Sequence, residues 1–410
     1  MTPAPLPDWL TQEYMQSKLR LHYKDDKLLV HKLWSNAATA KGDNYVGIIT
    51  RLNVEFQLAN GAVQQSTYLS KETVPEDAPQ AEVFADYGVY QREMDMYEFV
   101  LPKMTQLLRE VGIKDKLHAD AIAVDREHMI VILEDLATLK YSNADRVQQL
   151  DFEHVKITLA MLAKYHAASA VLKQRYPALL EHNFVKSFFT RGLKGYAMVF
   201  QTLFKALIRH VEAQPKLAAR YLQKLQHMLP NIMEYGARCF DVTDTDFQTL
   251  THGDCWTTNI MFQHDAAGKP TTVVPIDFQF SVVSSPVVDL LYFFATSLQE
   301  PLRARETELL QYYHIELQQA LRQLAYKGKL PNLHEFYMQL ERRRFMYSFF
   351  SLTFQLLMIY NGTEVPEFWK LYSDEPAAIR MQDSFYEGER AQHLVERLLH
   401  LFDVRGLLDE

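Results

Sequence analysis

Residues 251–262 read T-H-G-D-C-W-T-T-N-I-M-F, and V-V-P-I-D-F-Q-F follows, ending at Phe280. I-M-F and V-V-P-I-D-F have the β-branched and aromatic make-up of short strands, and the H-D-A-A-G-K-P between them supplies the Gly and Pro of a hairpin connection. Asp254, Asn259 five residues later, and Asp277 are therefore expected near the ends of paired strands, close in space. That trio suits one chemistry, the transfer of a phosphoryl group to an alcohol. A carboxylate at Asp254 can orient the hydroxyl and accept its proton. The amide oxygen of Asn259 can ligate magnesium without adding a full negative charge, and Asp277 brings an anionic oxygen to the same metal. Taken singly, Asp254 could cap a turn, Asn259 satisfy a loop and Asp277 end a strand. The combination points to chemistry, with His252 buttressing the loop rather than moving protons.

The chain around this segment divides near residue 140. Before it, T-Y-L-S-K-E (67–72) and M-I-V-I-L-E-D-L (129–136) read as strands. Between them Phe84, Tyr90, Met94, Tyr97 and Leu101 recur at helical spacing, with Pro102 as a boundary or kink. After residue 150 the pattern is helical: Val155, Leu159, Leu162 and His166 share one face, and residues 197–240 hold further amphipathic stretches. The expectation is an α+β chain with a small mixed N-terminal lobe, residues 1–136, and a larger, mainly helical C-terminal lobe, residues 137–410.

Composition narrows the function classes. With 410 residues and 48% hydrophobic content, there is material for a sizeable core in two lobes. Forty-three Lys and Arg against 51 Asp and Glu give a net charge of −8 without a basic stripe, so nucleic acid is not an expected partner. Cys239 and Cys255 are too few and too distant for a disulfide framework, which fits a reducing compartment. The start carries three prolines and no basic region leading into an apolar run, and no later stretch is apolar enough to span a bilayer. No membrane insertion and a cytoplasmic location are expected. Asn361-Gly362-Thr363 is read as a turn rather than a glycosylation acceptor.

Five motifs stand out: G-D-N-Y at 42–45, L-E-D-L at 133–136, H-G-D-C-W-T-T-N at 252–259, I-D-F-Q at 276–279 and S-P-V-V-D-L at 285–290. Taken together they resemble the ecdysteroid kinase-like (CHK kinase-like) family, which is related to choline kinases and aminoglycoside phosphotransferases. The resemblance spans roughly residues 25–400 and implies a bilobal protein-kinase-like fold, ATP and Mg2+ as cofactors, and a small-molecule acceptor. It also implies that Lys71 pairs the α- and β-phosphates and that Glu93 orients Lys71, with Glu98 and Asp95 as the other nearby carboxylates. Gly42, Asn44, Tyr45 and Gly47 belong to a loop whose main-chain amides can approach phosphate, although the segment is neither G-x-G-x-x-G nor a Walker A loop. Glu134, Asp135 and Leu136 fall where main chain passing the adenine would read a base edge. Asp289 is expected to steady the catalytic neighbourhood or cap a helix.

Substrate selection is expected from the large lobe. The run 335–360, rich in Phe, Tyr, Leu and Met, can fill the core and can also wall an apolar acceptor site. An apolar wall suits a steroid alcohol, whereas an aminoglycoside asks for an acidic cleft and choline for an aromatic and acidic cage. The alternatives are a kinase for a xenobiotic or another small alcohol, and a catalytically silent binding or scaffold protein. Protein substrates are disfavoured because no A-P-E ending follows I-D-F-Q.

Overall fold

A computed structural model describes residues 6–37, 48–74, 77–78, 80–362 and 371–409. Helix α1 (Gln12–Tyr23), N-capped by the Thr11 hydroxyl, precedes strands β1 (Leu29–Ala37), β2 (Ile48–Gln57) and β3 (Val63–Glu72). Helices α2 (Ala81–Tyr87), α3 (Val89–Asp95) and α4 (Leu101–Glu110) follow, then β4 (Ala121–Asp125) and β5 (Ile130–Glu134). The five strands form one antiparallel sheet in the order β1-β2-β3-β5-β4. Successive side chains on a strand face opposite ways, and β5 uses both faces. Ile130 and Ile132 pack with Met15 and Leu19 of α1, whereas Val131 and Leu133 join the main core that includes Met94 and Tyr97. The same alternation sends Tyr68 toward α1 and Leu69 toward the main core.

The helical stretch expected across Phe84–Leu101 is interrupted twice. Gly88, at φ +65°, closes α2 and opens α3. Just before Pro102 the helix widens by one residue, so that the Leu101 N–H donates to the Met96 carbonyl. Pro102, which has no N–H to offer, then lies in the first turn of α4, where none is required.

The chain leaves β5 through a short 3-10 turn, Leu136–Leu139, capped by the Asp135 carboxylate. After β6 (Ser142–Asn143) runs the 24-residue helix α5 (Phe152–Arg175), on which Val155, Leu159, Leu162 and His166 are all buried. Helices α6 (Gly195–Glu212), α7 (Pro215–Leu217), α8 (Gln223–Met228) and α9 (Ile232–Phe240) lead to four short strands: β7 (Thr249–Thr251), β8 (Ile260–His264), β9 (Pro270–Pro275) and β10 (Val282–Ser284). Among the described residues that follow are helices α10 (Val287–Ser297), α11 (Glu306–Gln323), α12 (Leu333–Arg342), α13 (Arg344–Leu352) and α14 (Phe354–Ile359), and beyond them Pro376–Ser384 and Glu389–Val404. The architecture is thus bilobal and kinase-like, a small mixed lobe on a larger helical one. Among the described residues no helix is long and apolar enough to cross a membrane.

Candidate active site

Two small ladders assemble the centre. β8 pairs antiparallel with β9, Ile260 opposite Pro275, and β7 pairs with β10, Thr251 opposite Val282. The β7–β8 connection carries Asp254 and Asn259, and the β9–β10 connection carries Asp277, so the two loops are held side by side. The second strand of the hairpin ends at Pro275, and at Asp277 the backbone turns through φ +68°. That conformation is uncommon for a residue with a side chain and concentrates at functional sites. Gly253 is fixed by crowding: at φ +84° an added Cβ would lie 2.0 Å from the Phe280 carbonyl oxygen.

On the small-lobe side, Lys71 Nζ lies 2.7 Å from Glu93 Oε2 and 2.9 Å from Asp277 Oδ1. Asp95 and Glu98 turn instead to Arg126. Burial works against the Lys71 ammonium, but Asp277 and Glu93 more than offset it and its pKa is raised. Burial likewise pushes the Glu93 carboxyl up while Lys71 pulls it back; with both contacts at ion-pair distance, the charged pair is the form this geometry supports. Arg92, buried beside Glu93, donates to the main-chain carbonyls of Tyr87, Asn183 and Gln279. It thereby ties α3 to the segment just after Asp277.

Asp254 sits between two kinds of surroundings. Tyr292 OH donates to its Oδ1 at 2.6 Å, and Asn259 Nδ2 donates to its Oδ2 at 3.0 Å and to its carbonyl at 2.9 Å. Burial raises the Asp254 pKa to about 8, opposed by the Tyr292 hydrogen bond and reinforced by Asp277. The amide of Asn259 is oriented by these bonds, leaving Oδ1 as its atom for a cation. Asp277 keeps a second carboxylate oxygen beyond the one that Lys71 holds. Two hard oxygen donors on adjacent loops fit magnesium, which typically takes one or two protein ligands and completes its shell with phosphate and water. Among the described residues no group of three or more His, Cys, Asp or Glu is arranged to hold a metal alone.

A buried scaffold supports the loop. Asp289, on α10, accepts the main-chain N–H groups of His252 at 2.6 Å and Gly253 at 2.9 Å, and contacts His166 Nε2 at 2.9 Å. His252 Nδ1 accepts the Asp254 N–H, and its Nε2 faces the Ile276 carbonyl at 3.0 Å. That network assigns the neutral tautomer with the proton on Nε2, in keeping with a pKa lowered by burial. His252 therefore links the two loops.

Glu134 and Asp135 spend their side chains on structure. Glu134 meets Lys116 and the Asp120 N–H, and Asp135 meets Arg51, Thr67 and the Ala137 N–H. Leu136 is buried. Only main chain at this crossing is left for a base edge. Gly42, Asn44, Tyr45 and Gly47 lie outside the described residues.

On its far side Asp254 lines a cavity enclosing about 690 Å³ of space, part of it open to solvent. Phe188, Tyr196, Phe200, Phe280, Tyr292, Phe350 and Phe354 line it with Trp256, Leu357 and Met358, and Arg146 lines it too. The run 335–360 thus serves both purposes, since Phe345, Phe349 and Leu352 fill the core, and Phe350 and Phe354, which also pack with it, line the cavity. Sequence reasoning missed Tyr292, Arg92 and Arg146. Tyr292 was within reach, because it follows Asp289 by three residues on one helix and so shares its face.

The bilobal frame and this constellation define a kinase-like class, and the chain belongs to the ecdysteroid kinase-like family, whose model matches residues 41–326. No curated protein sequence matches it significantly. Similar solved structures include a macrolide 2'-phosphotransferase from Brachybacterium faecium (11% identity, 91% of this chain and 98% of that one, TM-score 0.36). Others are the ADP-bound aminoglycoside phosphotransferase APH(2'')-Ib (14%, 82% and 99%, TM-score 0.34) and APH(2'')-IIa with streptomycin and ATP (15%, 83% and 99%, TM-score 0.36). At these scores the likenesses add nothing to what the family match establishes.

Proposed function

We propose that the protein is an ATP-dependent small-molecule kinase that phosphorylates a hydroxyl of an apolar molecule, such as a steroid alcohol. The observation that carries this reading is the position of Asp254, which lines an aromatic cavity and is bonded to Asn259, beside the Lys71–Glu93–Asp277 charge chain. In this reading residues 1–136 hold the nucleotide, with the loop of Gly42, Asn44, Tyr45 and Gly47 over its phosphates, Lys71 on the α- and β-phosphates, and main chain at Glu134–Leu136 beside the base. Residues 137–410 hold the acceptor, and the protein works in the cytoplasm.

Asn259 and Asp277 would hold magnesium, which when bound neutralises charge on the phosphate oxygens. The chain's own contribution is positioning. The cavity walls orient the acceptor, and Asp254, steadied by Tyr292 and Asn259, takes the hydroxyl proton. As the acceptor oxygen bonds to the γ-phosphorus, the bond to the β,γ-bridging oxygen breaks and ADP departs. Lys71, held by Glu93, balances charge on the departing phosphates.

Calorimetric titration with ATP tests the nucleotide half of the reading. Wild type should bind ATP in a magnesium-dependent way, Asp277→Asn should lose that dependence, and Asp254→Asn should keep it. A folded wild type that binds neither ATP nor magnesium would instead favour a silent scaffold.

A further inference from the structure

Among the described residues lining the cavity that Asp254 also lines, Arg146 is the only lysine or arginine. Its Nη1 donates to the main-chain carbonyls of Met358 at 2.6 Å and Tyr360 at 2.7 Å. These carbonyls lie at the C-terminal end of α14, where helical carbonyls lack intrahelical partners and a cation is favoured. This structural task accounts for one nitrogen only. A guanidinium has five N–H donors in a fixed fork, and among the described residues Nε and Nη2 have no acceptor and no carboxylate lies at ion-pair distance. Nor are these two nitrogens among the polar atoms sealed in the core without partners. Arg146 is half-buried, so water reaches it in the free protein. An uncharged apolar molecule filling the cavity would remove that water and return nothing to the charged edge.

We propose that the acceptor carries a carboxylate in addition to its hydroxyl, and that Arg146 binds it through the Nε–Nη2 edge. The cavity then selects an apolar hydroxy acid: aromatic walls take the body, Asp254 meets the hydroxyl and Arg146 meets the anionic group. A carboxylate matches the guanidinium fork in a two-point, charge-assisted contact. The fixed Nη1 bonds pre-organise that fork, so little side-chain freedom remains to be lost on binding. This inference rests on the reading of the cavity as the acceptor site and narrows its substrate class.

The test uses the full chain and a panel of hydroxylated apolar carboxylic acids, from medium-chain hydroxy fatty acids to lithocholate, each paired with its methyl ester. Each pair shares one body and hydroxyl and differs only in the charged end. Calorimetry with wild type should show the best-bound acid at least about tenfold tighter than its ester, weakening with salt. In folded Arg146→Gln the acid should fall to the affinity of the ester, and Arg146→Lys, which keeps the charge but loses the fork, should fall between. Equal binding of acid and ester by wild type, no binding by any acid, or an unchanged preference in folded Arg146→Gln overturns the proposal. The wild-type comparison stands even if the variants fail to fold. ATP binding, measured on the same samples, separates the two readings. Acid preference without ATP binding sinks the kinase, and acceptor-dependent ATP turnover without acid preference sinks the carboxylate.

Discussion

On one side of Asp254 the molecule is held by charge, and on the other by rings. Toward the small lobe, Glu93, Lys71 and Asp277 alternate in sign at 2.7 and 2.9 Å, and each is fixed by a neighbour of opposite charge. Toward the large lobe, rings of Phe188, Tyr196, Phe200, Phe280, Tyr292 and Phe350 line a cavity whose charged groups, among the described residues, are Asp254 and Arg146. Phe188 and Phe280 lie 4.1 Å apart, and Tyr292 meets Phe350 edge-on at 4.7 Å. The contrast fits two tasks. A triphosphate is the same in every kinase and is bound by fixed charges, whereas an acceptor is particular and is bound by shape and burial.

If the comparison is right, substitutions on the two sides should separate into distinct kinetic effects. The largest belongs to the residue between them. Folded Asp254→Asn should lose on the order of 10²- to 10⁴-fold in phosphoryl transfer, the usual worth of a positioned proton acceptor. Its ATP affinity should stay within about threefold, read by steady-state kinetics beside calorimetry. Next comes Glu93→Gln, which leaves Lys71 free to lean on Asp277 alone. Loss of a charge-assisted hydrogen bond at about 1.5–3 kcal/mol should weaken productive ATP use by roughly ten- to a hundredfold, with acceptor KM unaffected.

A third break uses pH. In the folded protein burial raises the Asp254 pKa to about 8, above the 3.8 of a free aspartate. A group raised in this way gives stability that is present below its unfolded pKa and is lost as pH rises through its folded value. Without nucleotide or metal, the stability of wild type relative to Asp254→Asn should therefore fall between about pH 4 and pH 8 and level off above. The change should be on the order of 2 kcal/mol after allowance for the open cavity, measured by urea unfolding of both proteins across that range. A flat difference would mean that Asp254 is charged throughout. The smallest effect is expected from Phe350→Leu, which trims the cavity wall. It should raise acceptor KM about tenfold, the worth of some lost apolar contact, and leave ATP binding alone.

The two sides also differ in how far they could be read from sequence. The positions of Asp254, Asn259 and Asp277 were legible because short paired strands convert sequence spacing into proximity. Lys71 was legible through the family resemblance, since a lysine at the end of a strand carries no mark of its own that separates it from a solvated one. Glu93 was harder: Asp95 and Glu98 share its helix, and only the position of Arg126 shows why they point elsewhere. The widened turn before Pro102 and the left-handed Asp277 were not visible, since both depend on how the chain meets its neighbours. The cavity was the least legible part. Its lining comes from positions as distant as Arg146 and Met358, and a phenylalanine on a helix carries no mark of whether it faces core or cleft. Thus Phe349 and Phe350 are equally buried in the core, and of the two Phe350 also lines the cavity.

The most direct test of the central claim is mass-resolved transfer from ATP and magnesium to a panel of apolar alcohols and hydroxy acids, with folded Asp254→Asn alongside wild type. The account predicts a product heavier by one phosphoryl group with wild type and essentially none with the variant. Equal product formation by the two proteins across enzyme and substrate concentrations would contradict it.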